Sequence, residues 1–121
     1  MFAAPEEAIA MSQKAIRLNP FGSTSTFFHL GMSYRMTGRF DEAVSAFKKL
    51  IESEPNHIFA HNQLAVTYIQ MGREKEARAE AAEVLRINPK FSVDFLAKAL
   101  PFKDQSEIDK ITNALRKAGL K

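Results

Sequence analysis

The sequence predicts an all-α fold, an α-α superhelix of antiparallel helix pairs closed by a shorter C-terminal capping pair. Two observations carry this. A block of residues returns at a fixed interval: Leu30, Gly31, Tyr34, Gly38, Ala43 and Pro55 have counterparts in Leu64, Ala65, Tyr68, Gly72, Ala77 and Pro89, each 34 positions on. A fixed period of this length marks stacked helix–turn–helix units, in which each unit covers its neighbour's apolar face. Within each period, apolar residues recur at helical spacing and the segments stop at glycine or proline.

The first segment, 5–18, opens with Pro5, Glu6 and Glu7. Proline suits a first helical turn, and acids there complement the positive end of the helix dipole. Ala8, Ile9, Ala15 and Ile16 share one side, and Asn19-Pro20 ends the segment. Residues 24–37 form the next helix, with Phe27, Leu30, Gly31 and Tyr34 at i, i+3, i+4 and i+7 and Gly38 as its left-handed terminator. Helix 40–53 follows. Phe40, Ala43, Phe47, Leu50 and Ile51 are its apolar positions, Asp41 and Glu42 lie in its first turn, and Pro55 closes the unit.

Segments 58–71 and 74–87 repeat this plan. Leu64, Ala65 and Tyr68 face inward in the first, Gly72 makes the turn, and Ala77, Ala81, Val84 and Leu85 face inward in the second. Small residues at positions 31, 43, 65 and 77 let helix axes approach closely. The period then breaks. Ser92 caps a short helix that Pro101 stops, and Asp104-Gln-Ser-Glu107 fits a capping box. Ile108, Ile111, Leu115 and Ala118 make one apolar stripe, and Gly119 ends it. A terminal amphipathic pair of this kind hides the apolar side that a last repeat leaves open.

The run Leu30-Gly31…Tyr34…Gly38…Ala43…Phe47…Pro55 resembles the tetratricopeptide repeat, and Leu64-Ala65…Tyr68…Gly72…Ala77…Pro89 resembles it again. Ala8…Ala15-Ile16…Asn19-Pro20 is similar to the second helix of an earlier repeat. The expected organisation is a single domain over 1–121: a half repeat at 5–20, repeats at 24–55 and 58–89, and capping helices at 90–121. The tail Phe91-Ser92-Val93…Leu100-Pro101-Phe102-Lys103-Asp104…Leu115-Arg116-Lys117-Ala118-Gly119-Leu120 resembles the ending of bacterial multidomain proteins that carry such repeats, class III adenylate/guanylate cyclases above all. That resemblance implies a parent signalling protein whose catalytic domain is not in this chain.

Bulk composition excludes several functions. There is no cysteine among the 121 residues, so disulfides, thiolate metal sites and cysteine nucleophiles are absent. The net charge is +3, and the excess lies in the tail, where Lys90–Lys121 holds seven basic and four acidic side chains. Nucleic-acid binding there would use Lys98, Lys103, Lys110, Arg116, Lys117 and Lys121, but interleaved acids make this a poor phosphate stripe, and no nucleic acid is expected as a partner. No apolar run reaches the roughly 20 residues of a spanning helix, and the N-terminus has no secretory pattern, so a cytoplasmic chain with no membrane partner is expected.

No catalytic constellation emerges. His57 and His61 are four apart but lack the His-Glu-x-x-His pattern of a zinc helix. His57 is expected in the turn after Pro55, and His61 at a packing position. Asp41/Glu42 and Glu74/Glu76 sit at helix starts, where the dipole explains them. No glycine-rich phosphate loop is present. No enzyme activity, metal or cofactor is expected.

The resemblance implies that the first helix of each pair lines a concave groove. The candidate peptide-binding residues are Phe28, His29, Met32, Arg35 and Met36 on one such helix and Phe59, Asn62, Gln63, Val66, Ile69 and Gln70 on the other. Methionines adapt and aromatics anchor, so the strip suits an extended or helical peptide, or a neighbouring domain of the same protein. Some relatives hold a C-terminal carboxylate with lysines, arginines and asparagines. Only Asn62 and Arg35 are present here, so that mode does not match. The alternative is a structural or oligomerisation element, a homodimer formed through an exposed apolar face around Ile9 and Ile16 of the N-terminal helix.

Overall fold

The structure, a computed structural model, describes residues 5–18, 24–100 and 104–121. Among these, every regular element is a helix: α1 (Pro5–Leu18), α2 (Thr24–Met36), α3 (Phe40–Ser53), α4 (Ile58–Gln70), α5 (Glu74–Ile87), α6 (Val93–Ala99) and α7 (Gln105–Lys117). The chain forms two compact units, Met1–Ala60 and His61–Lys121. The expected features at Asn19-Pro20, Phe21–Ser23 and Pro101–Lys103, and the side chains of Ala8, Ala15 and Ile16, lie outside what is described.

In the first unit α1 packs on α2 and α2 on α3. Leu30, Tyr34, Ala43, Phe47 and Leu50 are buried, and the last three lie at i, i+4 and i+7 on α3. Gln13 on α1 donates through its Nε2 to the Tyr34 hydroxyl at 2.8 Å. Ile9, expected to lie on an open face of α1, is only 5% exposed. The reason is that α1 packs on α2, which covers this face.

The turn between α2 and α3 is a six-residue hydrogen-bonded loop around Gly38. The amide of Gly38 donates to the Arg35 carbonyl at 3.1 Å, and that of Arg39 to the Tyr34 carbonyl at 2.8 Å. The same two bonds recur 34 residues later, from Gly72 to Ile69 at 3.0 Å and from Arg73 to Tyr68 at 2.8 Å. Both glycines have positive φ, 80° and 77°, which a side chain resists. A Cβ at either position would meet nothing within 4 Å, so the resistance is purely conformational. Gly38→Ala and Gly72→Ala are each expected to cost about 1 kcal/mol, read from the midpoint of urea unfolding.

The following arginine completes each turn. Arg39 stacks over Tyr34 at 4.7 Å from the ring centre, and Arg73 over Tyr68 at 5.5 Å. Arg39 also donates twice to Glu42, at 2.9 and 2.7 Å, which raises its pKa above the ordinary arginine value. Arg73 pairs likewise with Glu76.

In the second unit Leu64, Ala65, Tyr68, Ala77, Ala81 and Val84 are buried. Leu85, expected to face inward, is 40% exposed. The buried stripe of α5 runs Ala77, Ala81, Val84, and the residue after Val84 is turned about 100° off it. His61 Nδ1 and Glu80 Oε2 lie 2.9 Å apart and link α4 to α5. α6 packs on α7. Ser92 caps α6 by accepting from the Phe95 amide at 3.3 Å, and Asp104 caps α7 by accepting from the Ser106 amide at 2.9 Å. The Val93 amide donates to the Lys121 carbonyl at 2.8 Å, so the chain's last residue is tied to the start of α6.

Candidate interaction surfaces

The first unit carries an aromatic face. Phe28 on α2 meets the buried Phe47 edge to face at 6.0 Å, His29 at 6.0 Å and His57 at 5.6 Å. His57 in turn meets Phe59 at 6.2 Å, at the start of α4. Phe47 anchors this row of rings in the core, while its outer members are open: His29 is exposed, and Phe59 is 52% exposed. Met36 is also exposed, whereas Met32 and Arg35, on the same helix, are buried. The candidate residues of α2 therefore divide into an open set and a core set.

His57 sits immediately before α4, a helix with no acid in its first turn. The Ala60 amide donates to His57 Nδ1 at 3.1 Å and to the His57 carbonyl at 3.1 Å. On the other side of the ring, Nε2 lies 4.0 Å from Glu54 Oε2. Sequence spacing places His57 in the turn after Pro55 and suggests for it only a metal-ligand role. Its position directly before a helix was the signal for a capping role. No group of three or more metal-ligating side chains occurs among the described residues.

In the second unit Asn62, Gln63 and Val66 of α4 are buried, and Ile69 and Gln70 are partly exposed. Val66 is 0% exposed and presents no surface. Asn62 is unusual: both its Nδ2 and Oδ1 are buried and accept or donate no protein hydrogen bond, and Gln70 Oε1 is in the same condition. A buried, unmatched amide costs free energy, so such groups call for a partner. A concavity at α6 and α7 is lined by Asp94, Ala97, Lys98, Gln105 and Ile108. Two of the tail's cations are paired, Arg116 with Asp94 at 2.7 Å and Lys110 with Glu107 at 3.6 Å.

Residues 34–100 match the family model for the tetratricopeptide repeat. The chain belongs to the tetratricopeptide repeat family. Domains of this family serve in general as protein–protein interaction modules, and they are not catalytic in themselves. Crystal structures of MamA share the fold: two of them superpose with a TM-score of 0.69 at 21% identity, covering 94% of this chain and 66% and 62% of theirs. A curated relative named "Putative adenylate cyclase 3", from Rhizobium meliloti (strain 1021), is 46% identical over 44 residues. That stretch is 36% of this chain and 8% of the relative. No helix among the described residues is long and apolar enough to cross a membrane.

Proposed function

We propose that this tetratricopeptide repeat chain is a non-catalytic docking module that takes a peptide, or a neighbouring domain of the same protein, on the first helices of its pairs. The carrying observation is the aromatic row Phe28–His57–Phe59, anchored on the buried Phe47 and open at Phe59. Half-open aromatic rings on a rigid helical base are favoured anchors for a partner's apolar side chains.

The organisation proposed is a half repeat at 5–20, repeats at 24–55 and 58–89 and a cap at 90–121. The cellular setting proposed is the cytoplasmic part of a larger bacterial signalling protein, such as an adenylate/guanylate cyclase. The tail resemblance and the matched segment of the Rhizobium protein support it. Self-association through α1 has less support, since Ile9 is covered.

The test is selection of binding peptides from a random display library, followed by calorimetry. Phe59→Ala and Met36→Glu, both at exposed positions, are expected to leave the helical circular dichroism unchanged. Each is expected to weaken the selected peptides roughly tenfold or more, as for a central aromatic anchor. Unchanged affinity in both variants sinks the proposal.

A further inference from the structure

We infer that His57 is a pH-sensitive cap that holds the aromatic face in its binding arrangement. For its functional consequence this rests on the docking role proposed above. The Ala60 amide donates to Nδ1 at 3.1 Å, which requires a bare lone pair on that nitrogen. The proton of the neutral ring is therefore on Nε2, toward Glu54. Protonation places an N–H on Nδ1, opposite the N–H of Ala60. Two donors then face each other, at the end of the helix where the dipole already disfavours positive charge. The ring turns out of this arrangement, and it is the same ring that bridges Phe28 and Phe59.

Among the described residues, the charged and titratable groups shown facing it are Glu54 and, across Phe28, His29. Glu54, at the C-terminal end of α3, lies 4.0 Å from Nε2 and is the nearest carboxylate among the described residues. From α2, His29 meets the Phe28 ring edge to face at 6.0 Å. The first turn of α4 has no acid. The Ala60 amide keeps the His57 carbonyl as an acceptor, also at 3.1 Å, so protonation loosens the start of α4 without unfolding it.

The test uses the isotopically labelled full chain and compares it with His57→Asn, whose side chain caps a helix without titrating. Between pH 7.5 and pH 5.5 the wild-type Ala60 amide is expected to lose exchange protection roughly fivefold after correction for intrinsic rates, the size of one cap. The Phe59 ring resonances should shift along with it. In His57→Asn both should stay level, and in His29→Gln both should change as in wild type. An equal pH response in wild type and His57→Asn, or none in wild type, overturns the inference. Failure of the docking role shows elsewhere: the selected peptides would be indifferent to Phe59→Ala while the Ala60 amide still followed His57.

Discussion

Phe47→Ala is expected to lower the stability of the chain by about 3–5 kcal/mol, the cost of emptying a large aromatic site in a packed core. Phe47 is 0% exposed, and its ring lies where a side chain at position 31 would be. A Cβ on Gly31 would approach the ring's Cε1 to 2.6 Å, Cζ to 2.7 Å and Cδ1 to 2.9 Å. Gly31→Ala alone should therefore cost about 1–3 kcal/mol by overpacking, even though alanine favours the helix by about 1 kcal/mol. In a Phe47→Ala background the clash is gone, and Gly31→Ala should become neutral or stabilising. The two substitutions should thus depart from additivity by about 2 kcal/mol, measured by urea unfolding of the four proteins in the cycle. The second repeat already carries that pair, with Ala65 and Ala81 standing 34 positions after Gly31 and Phe47, both buried. Additive effects would show that the ring and the glycine do not share one space.

Leu115→Ala should cost about 2–4 kcal/mol, and most of its effect should fall on the cap. Leu115 is 0% exposed on α7, and its carbonyl accepts from the Leu120 amide at 3.0 Å across the turn at Gly119. Leu120 is itself buried, and the Lys121 carbonyl holds the Val93 amide at 2.8 Å. The buried Leu115 side chain thus lies on the helix whose terminal turn is joined by backbone hydrogen bonds to the start of α6. Hydrogen exchange should show α6 and α7 losing protection while α2 and α3 keep theirs. Arg116→Ala, which removes only the exposed pair with Asp94, should change stability by less than about 1 kcal/mol. A Leu115→Ala protein with unchanged exchange in α6 and α7 would refute this account of the cap.

Much of the architecture was legible in the residues. Helix starts and ends follow local chemistry: Gly38 and Gly72 turn the chain because their φ is positive, and Ser92 and Asp104 cap because their oxygens reach free amides. The inner stripe of α7 follows from spacing alone, with Ile111, Leu115 and Ala118 buried. The candidate surface was less legible. Spacing places Phe28, Met32, Arg35 and Met36 on one side of α2, yet Met32 and Arg35 are buried while Met36 is open. A helical face is wider than the groove it borders, and periodicity does not say where one neighbour stops and solvent begins. The same limit explains Leu85, which lies at the edge of the α5 stripe and remains in water.

The sequence by itself determined the helix-pair plan, the 34-residue period and the glycine turns, because each depends on local chemistry or on the repeat of residue types along the chain. Tertiary structure alone decided which apolar residues stay exposed, that Ile9 is covered by α2, that the Asn62 amide is buried without a protein partner, and that His57 joins a helix cap to a row of aromatic rings. Those properties depend on residues far apart in the chain, and no local pattern encodes the distance between them.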